Sequence, residues 1–417
     1  MKKMIAVIAL LVPALIFAQE LKKEGRYYVA EITKEFDVDK GGSLVMEDVQ
    51  GDVTITTWNK NTVSIYEIRR MDVFTKAEAE AVLKESQAIY KKDGNTIRIG
   101  GADSYRSYMN SKFEIKLPAE FDVDVGTRGG DVSVTSLKGT TKIRTSGGDI
   151  ELIKVNGDVQ AKTSGGDVKI VENTKQAQVK TSGGDVEILD VYGEVQAKTS
   201  GGDIIIKNNK ARVEAKTSGG DVMLENVGAE VEVATSGGDI EVDGSAGDIE
   251  VATSGGDVEL MNIKGQAKAR TSGGDIEANT VLKGVDVSTS GGDIELKDIQ
   301  GFIDASTSGG DIEAEMTLKD FSKDHHVELK SSGGNITLWI PDKLPATIKA
   351  EIKLTGFASR TKEYNVYSDF PLESEDVGDE ENYRGEFMIS KDGKINGGGD
   401  LIYLRTTNGN INIRKLQ

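Results

Sequence analysis

The sequence predicts an all-β protein, a single-stranded, right-handed parallel β-solenoid with 18-residue coils that is capped at both ends. Two observations predict this fold. A pentapeptide, Thr-Ser-Gly-Gly-Asp, recurs every 18 residues through the middle of the 417-residue chain. Between its copies apolar and polar residues alternate with a period of two, which is typical of strands with one buried face. A fixed period of about 20 residues indicates a solenoid in which each repeat forms one coil.

The composition limits the class of protein and its partners. The formal net charge is −18, and the chain contains 49 glycines, 5 prolines and no cysteine. A strongly acidic surface repels nucleic acids and anionic membranes, so we do not expect nucleic acid as a partner. The lack of cysteine excludes disulfides, a thiol nucleophile and cysteine-ligated metal. The fold must therefore be held together by packing and backbone pairing.

Residues 1–18 are predicted to form a secretory signal peptide. Lys2 and Lys3 precede an apolar run that ends at Phe17, and Ala18 is a small residue suited to cleavage. This run is too short to span a bilayer comfortably, and we predict no transmembrane segment elsewhere. The sequence at its end, Phe-Ala-Gln, favours a cell-envelope protein of a Gram-negative bacterium. We expect the mature protein in the periplasm, on the outer surface or outside the cell.

Residues 19–125 are predicted to form an N-terminal capping β region that contains one helix, at 75–91. Thr75 and Glu78 have the spacing of a capping box at the start of this helix. Its apolar residues fall on one face, which we expect to cover the core. These residues are Ala79, Val82, Leu83, Ile89 and Tyr90.

Residues 126–315 are predicted to form the regular solenoid repeats. The first aspartate of the series is Asp131, in the variant Thr-Arg-Gly-Gly-Asp, and each later one follows after 18 residues. Counted from the aspartate, positions 1, 3, 10 and 12 are apolar or small, so each coil contains two short strands. The later aspartates are Asp149, Asp167, Asp185, Asp203, Asp221, Asp239, Asp257, Asp275, Asp293 and Asp311.

The two glycines before each aspartate are predicted to form the structural turn of the coil. Glycine adopts positive φ readily and leaves room for a tight corner. Helices are excluded here, because a glycine pair every 18 residues would interrupt them. The predicted turn glycines are Gly147, Gly148, Gly165, Gly166, Gly183, Gly184, Gly201, Gly202, Gly219 and Gly220.

Stacked coils place the aspartates above one another, and neighbouring carboxylates about 4.8 Å apart repel by roughly 1 kcal/mol even in water. Three arrangements would offset this repulsion. Backbone N–H groups donate to each carboxylate, which is our main interpretation. Alternatively, Ca²⁺ binds along the ten aspartates from Asp149 to Asp311, although the spacing of the calcium-binding nonapeptide is lacking. Basic residues at position 13 are a third option, but they are replaced by alanine or serine in later coils. We predict no cofactor.

Residues 316–417 are predicted to continue the solenoid and to cap it. A further copy of the motif, Ser332–Asn335, follows Asp311 after a six-residue insertion, and a weaker copy lies at Asn408–Ile411. The two histidines of the chain, His325 and His326, are adjacent in this insertion. Adjacent side chains of an extended segment point apart, so we expect surface residues rather than a metal site.

The chain resembles a bacterial family known as "putative adhesin", a domain of unknown function with a single-stranded β-solenoid fold. The residues that carry this resemblance are Gly51–Trp58, Ile115–Ala119, the Thr-Ser-Gly-Gly-Asp copies and Gly397–Ile413. It covers most of the chain after the predicted signal peptide. It implies an adhesin-like interaction module, and it supplies no catalytic motif.

We therefore predict a non-enzymatic, secreted or envelope-bound scaffold that binds a protein or glycan at the cell surface. Self-association of the rods, end to end or laterally, is a further option. An enzyme on such a fold would need acids and bases on long loops, for which 18-residue coils leave no room. Threonine ladders also occur in ice-binding solenoids, but here the threonines share the parity of the buried positions. The alternative function is a calcium-dependent β-roll that binds Ca²⁺ along the aspartates.

Overall fold

The computed structural model is all-β, with 38 strands and one helix in the part of the chain that it describes. Long stacks of parallel strands form two sheets, which confirms the predicted β-solenoid class. The predicted signal peptide, residues 1–18, lies outside the described residues. The described residues are 21–85, 89–100, 109–228, 230–356, 358, 363–375 and 387–416.

The strands fall into an N-terminal group, a regular group and a C-terminal group. The N-terminal elements are Leu21–Glu24 (β1), Tyr27–Asp37 (β2), Gly42–Val49 (β3), Gly51–Trp58 (β4), Thr62–Met71 (β5), Lys76–Glu85 (α1), Ile89–Asp93 (β6), Thr96–Gly100 (β7), Met109–Pro118 (β8) and Phe121–Thr127 (β9).

The regular strands take two positions in each coil. They are Val132–Thr135 (β10), Thr141–Arg144 (β11), Ile150–Ile153 (β12), Val159–Lys162 (β13), Val168–Asn173 (β14), Ala177–Lys180 (β15), Val186–Val191 (β16), Val195–Lys198 (β17), Ile204–Lys207 (β18), Val213–Lys216 (β19), Val222–Val227 (β20), Glu230–Ala234 (β21), Ile240–Ser245 (β22), Asp248–Ala252 (β23), Val258–Ile263 (β24), Ala267–Arg270 (β25), Ile276–Val281 (β26), Gly284–Ser288 (β27), Ile294–Ile299 (β28), Phe302–Thr307 (β29) and Ile312–Met316 (β30).

The C-terminal group includes the last coils and the strands that cover them. Its members are Val327–Ser331 (β31), Ile336–Ile340 (β32), Ala346–Leu354 (β33), Val366–Ser368 (β34), Glu373–Glu375 (β35), Phe387–Ile395 (β36), Asp400–Thr407 (β37) and Ile411–Lys415 (β38).

Each coil gives one strand to each of two sheets. The even-numbered strands from β10 to β32 pair in parallel in the first sheet, and the odd-numbered strands from β11 to β31 pair in parallel in the second. The register advances by one repeat, so that Val132 pairs with Ile150 and Thr141 pairs with Val159. Equivalent positions of successive coils therefore lie side by side.

The core lies between the two sheets. Positions 1, 3, 10 and 12 of each coil point into it, as Ile204, Ile206, Val213 and Ala215 show with exposed fractions of 0%. These side chains join one continuous apolar cluster along the whole stack. The period-two alternation in the sequence thus predicted the buried face correctly.

The two corners of a coil are built differently. The corner at position 5, at or near the end of the first-sheet strand, has a left-handed backbone with φ between 50° and 83°. The paired glycines form the other corner, and none of the ten predicted turn glycines has a positive φ. The predicted positive φ is therefore absent at these glycines. The left-handed residues are Ser136, Lys154, Glu172, Asp190, Asn208, Asn226, Gly244, Asn262, Thr280 and Asp298.

Close stacking, not positive φ, is what requires the second glycine of each pair. A Cβ atom on Gly202 would lie 2.1 Å from the carbonyl oxygen of Gly184 in the preceding coil, far inside van der Waals contact. A Cβ atom on Gly201 would meet the carbonyl oxygen of Gly183 at an ordinary 3.6 Å. The second glycine permits the coils to approach, whereas the first lies at the exposed edge.

At the N-terminal end the stack continues past the regular repeats. Strands β3 and β4 form an earlier coil, which pairs in parallel with β9 and β10. Strand β8 follows β4 in parallel, and β5, β2 and β1 then pair antiparallel beyond it. Antiparallel strands thus cover the end of the parallel stack, which would otherwise expose pairing edges.

At the C-terminal end the spatial order of coils differs from the chain order. Strands β37 and β38 pair in parallel with β31 and β32 on one side. On their other side they pair with β33 and β34, which precede them in the chain. The last coil is therefore inserted between two earlier ones, and antiparallel β36 covers β33.

The helix is shorter than the predicted range 75–91. It spans Lys76–Glu85 (α1), and the capping box is present, with the Glu78 N–H 3.2 Å from Thr75 Oγ1 and the Thr75 N–H 3.2 Å from Glu78 Oε2. Ala79, Val82 and Leu83 are buried as predicted, in a small second core.

In the part of the chain that the structure describes, no helix is long and apolar enough to cross a membrane.

Ile89 and Tyr90 belong to strand β6 instead of the helix. Strand β6 pairs antiparallel with β7 at the end of the second sheet, where Tyr90 is opposite Ile99. The Tyr90 hydroxyl contacts the buried carboxylate of Glu67, which also forms an ion pair with the buried Arg69. These backbone and side-chain bonds are available only in the sheet, which overrides the helical spacing of the sequence.

We expect Gly202→Ala to destabilise the fold far more than Gly201→Ala. The first change forces a Cβ atom against the neighbouring backbone and should lower the free energy of unfolding by at least about 2 kcal/mol. The second places a Cβ atom in ordinary contact and should change it by less than about 1 kcal/mol. Urea unfolding followed by far-UV circular dichroism measures both variants. Equal destabilisation would show that coil stacking does not set the glycine requirement.

Candidate functional site

The threonine of each Thr-Ser-Gly-Gly-Asp corner bridges two coils from a buried position. Thr217 Oγ1 donates to the Gly202 carbonyl oxygen of the preceding coil at 2.9 Å and accepts from the Gly220 N–H at 3.3 Å. The ten threonines from Thr145 to Thr307 all make this pair of bonds and are at most 8% exposed. Their hydroxyls serve the backbone rather than an external ligand such as ice.

The aspartates form a single exposed column in which each carboxylate accepts a backbone hydrogen bond. The Asp203 N–H donates to Asp185 Oδ1 at 2.8 Å, and the other steps from Asp131 to Asp311 measure 2.7–2.9 Å. This geometry agrees with backbone donation, but the donor is the equivalent residue of the next coil rather than a group of the same turn. The aspartates therefore lie at the turns and also hydrogen-bond successive coils to one another.

The column is longer than the regular repeats. The Asp131 N–H donates to Asp52 Oδ1 at 3.2 Å, so the column begins in the coil formed by β3 and β4. At the other end the N–H groups of Asn335 and Asn410 continue it, with distances of 2.7 Å to Asp311 Oδ1 and 2.9 Å to Asn335 Oδ1. Asp52 was missed as a member, although Gly51-Asp52-Val53 has the same Gly-Asp-Val sequence as several later copies.

The two asparagines show what the carboxylates contribute. An amide oxygen accepts the same backbone hydrogen bond at Asn335 as a carboxylate oxygen does elsewhere. The hydrogen bond alone therefore does not require aspartate. What aspartate adds is a line of negative charge along an exposed corner.

The column does not gather the ligands of a metal site. Within the described ranges no group of three or more histidine, aspartate or glutamate side chains is arranged to hold a metal ion. One oxygen of each carboxylate already faces a backbone N–H. Backbone donation is therefore the arrangement seen along the column.

A second acidic column runs along the outer face of the first sheet, at position 2. Burial raises the pKa of Glu259, and the charges of Glu241 and Glu277 in the adjacent coils raise it further. Lys169 offsets part of this column through an ion pair of 2.6 Å with Glu187. The first sheet thus presents a mainly acidic outer face. The column contains Glu151, Glu187, Glu241, Glu259, Glu277, Glu295 and Glu313.

His325 is buried, which corrects the prediction that both histidines are surface residues. Its ring nitrogens lie 2.8 Å from the Lys323 carbonyl oxygen and 2.9 Å from the Pro345 carbonyl oxygen. Its backbone N–H donates to Asp400 Oδ2 at 3.1 Å. The ring therefore fastens the insertion to the C-terminal coils, a contact between segments that sequence spacing does not reveal.

His326 points away from His325, as predicted, and lies between two carboxylates. Its Nδ1 is 2.7 Å from Asp324 Oδ1 and its Nε2 is 3.3 Å from Asp304 Oδ1, while its ring stacks on Phe302 with centroids 5.1 Å apart. Burial lowers the pKa of His326, but hydrogen bonds and charge interactions with Asp324 and Asp304 outweigh it and raise the pKa overall. Burial raises the pKa of Asp304.

We expect the fold to lose a small amount of stability as the pH rises through the pKa of His326. Because this pKa is raised on folding, the contribution is fully present below the unfolded value of about 6.5 and disappears above the folded one. The ring is half-exposed, so solvent screening limits the effect to less than about 1 kcal/mol. Urea unfolding at about pH 5.5 and about pH 8.5 should show a smaller pH difference for His326→Gln. An unchanged difference would contradict this role.

We expect no calcium-dependent change in stability. The aspartate column is already bonded to backbone N–H groups, so folding should not require a metal. Thermal melting by far-UV circular dichroism in EDTA and in excess Ca²⁺ should give the same β-rich spectrum and midpoint. A chain that is unfolded in EDTA and gains β structure with Ca²⁺ would establish the calcium-dependent roll instead, and Asp203→Asn would then weaken the response.

Several solved structures resemble this chain at low identity. A putative adhesin from Bacteroides fragilis is 17% identical, with 64% of this chain and 96% of that chain covered and a TM-score of 0.25. Putative adhesins from Parabacteroides distasonis and Parabacteroides merdae are 10% and 12% identical, cover 74% and 71% of this chain and 97% and 99% of their own, and have TM-scores of 0.27 and 0.25. No curated protein matches the chain.

The sequence profile of one family matches nearly all of the described solenoid. This profile, Toastrack DUF4097, matches residues 43–243, 211–283 and 226–414 in overlapping segments. Together the segments include the coil of β3 and β4, the regular repeats and the C-terminal coils. The chain therefore belongs to the Toastrack DUF4097 family.

Proposed function

We propose that the protein is a non-enzymatic module of the cell envelope that adheres to a protein or glycan through the outer faces of its coils. The observation that carries this proposal is the regular spacing of outward positions along the coils. Each outer side chain has an equivalent one repeat away in register, as in the pairing of Gln160 with Gln178 and of Lys162 with Lys180. A solenoid of this kind presents an extended array of similar groups rather than one enclosed site.

Such an array suits binding by many weak contacts. Once one group engages an extended partner, its neighbours act at high effective concentration, and the total affinity exceeds that of any single contact. The hydrogen bonds of the corners fix the distance between coils, so little conformational freedom is lost on binding. Export by the predicted signal peptide would place this array where surface polymers and neighbouring cells are found.

Removal of whole coils tests this function. Deletion of residues 150–185 or of residues 258–293 removes two repeats and joins an aspartate to the same apolar position that follows it in the intact chain. Both variants should fold, because every coil stacks on an equivalent neighbour. We expect at least one deletion to weaken binding of labelled protein to Gram-negative cells or their envelope fragments by roughly tenfold or more, since multivalent contacts are lost.

Circular dichroism of each deletion variant provides the control for folding, and sedimentation shows whether copies self-associate end to end or laterally. Full binding by both folded variants would overturn the proposal that the coils form the adhesive surface.

A further inference from the structure

The outer face of the second sheet carries a strip of cations and amides on an otherwise acidic protein. It lies on strands β11, β13, β15 and β17, at positions 11 and 13 of four successive coils. We call these residues the Lys/Gln strip. It consists of Lys142, Gln160, Gln178 and Gln196 in one column and Arg144, Lys162, Lys180 and Lys198 in the other.

The strip is concave. A shallow trough of about 300 Å³ runs across the four strands and is lined by both columns. Its floor is made by the strand segments of Ile143, Ala161 and Val179, whose side chains point into the core. The long polar side chains of the two columns line the trough together with these strand segments.

The charge of the strip is least compensated at its centre. Arg144 pairs with Asp124 at 2.7 Å and Lys198 pairs with Glu214 at 2.7 Å, so both ends of the column are neutralised. Lys162 and Lys180 form no ion pair with any residue that the structure describes. Two adjacent cations thus project beside the trough without an internal partner.

The amide column has hydrogen-bonding capacity to offer. Gln178 Nε2 donates to Gln196 Oε1 at 3.2 Å, and Gln196 Nε2 donates to Glu194 Oε1 at 3.2 Å. Each of these amides retains further donor or acceptor positions, since an amide group has two N–H donors and two acceptor lone pairs. At the centre of the strip, a ligand in the trough would meet the cations Lys162 and Lys180 in one column and the amides Gln160 and Gln178 in the other.

The surroundings limit the width of that ligand. The exposed aspartate column follows position 13 after five residues and runs parallel to the strip. Further along the same face, acidic residues return at Glu214, Glu232 and Glu250. A duplex nucleic acid or a membrane is wide enough to face these acids as well and would be repelled. The strip also contains no aromatic side chain on which the bases of a single strand could stack.

We propose that the Lys/Gln strip binds a linear acidic polysaccharide of uronate type, an inference that rests on the adhesive function proposed above. Carboxylates of the polymer pair with Lys162 and Lys180, and its hydroxyls bond to the glutamine amides. Successive coils are about 4.8 Å apart, which is similar to the advance of one sugar in an extended chain. A polyuronate carries one carboxylate per sugar, so its charges match one lysine per coil.

The experiment compares alginate, a polyuronate, with neutral dextran by isothermal titration of the full protein. We expect alginate to bind and dextran not to bind, with an affinity that decreases as salt is added. Lys162→Gln combined with Lys180→Gln should weaken alginate binding by roughly three- to tenfold. The matched control combines Lys175→Gln with Lys264→Gln, which removes two exposed lysines at coil corners and should leave binding unchanged.

Several results would overturn this inference. One is no binding of alginate, and another is equal weakening by the control variant. A third is tighter binding of single-stranded DNA or of anionic lipid vesicles through Lys162 and Lys180, which would assign the strip to a different partner. None of these results affects the coil-deletion experiment. Cell binding that depends on the coils without alginate binding would refute the polysaccharide and leave the adhesive function standing.

Discussion

The structure depends on one constraint, the direct stacking of each coil's corner on the corner before it. The second glycine of every pair lies so close to the preceding glycine carbonyl that no side chain fits. The threonine hydroxyl and the aspartate carboxylate then bond to the two coils that this approach brings together. A longer coil keeps these groups in line when its extra residues lie away from the corner, as in the coil with the six-residue insertion, where the Asn335 N–H still donates to Asp311 Oδ1. The corner residues repeat more strictly than the core residues, because the corner leaves no room for a side chain whereas aliphatic cores tolerate many substitutions.

Sequence reasoning could predict what repeats and could not predict what depends on distant segments. The 18-residue period and the alternation of apolar and polar residues predict the two strands, the buried face and the aspartate column, because every coil packs in the same way. The left-handed backbone at position 5 could not be predicted from the residue types, because Lys154, Glu172 and Thr280 occupy this position as well as asparagine. The insertion of β37 and β38 between earlier coils, and the burial of His325 against Pro345, join segments whose proximity no local pattern encodes.

Repetition also shapes the electrostatics. In an ordinary domain a charged side chain has neighbours of mixed sign, whereas here a charge at one position recurs in the next coil at the same position. Burial raises the pKa of Glu259, and the repeated charges of Glu241 and Glu277 raise it further. Ion pairs such as Lys169 with Glu187 relieve the repulsion where a coil departs from the consensus. The departures, rather than the consensus, therefore set the charge pattern of each face.

We infer that the function of such a protein resides in the outward side chains of its strands. Threonine, the second glycine and aspartate repeat most strictly. They hydrogen-bond to neighbouring coils, so few of their donor and acceptor positions are left for a partner. The outward side chains of the strands do not form the corner bonds, and their residue types vary from coil to coil. On the second sheet they change from lysine and glutamine near Lys162 to glutamate near Glu250. A common scaffold with variable columns would let one fold adhere to different polymers, because the corner maintains the spacing while the columns determine the chemistry.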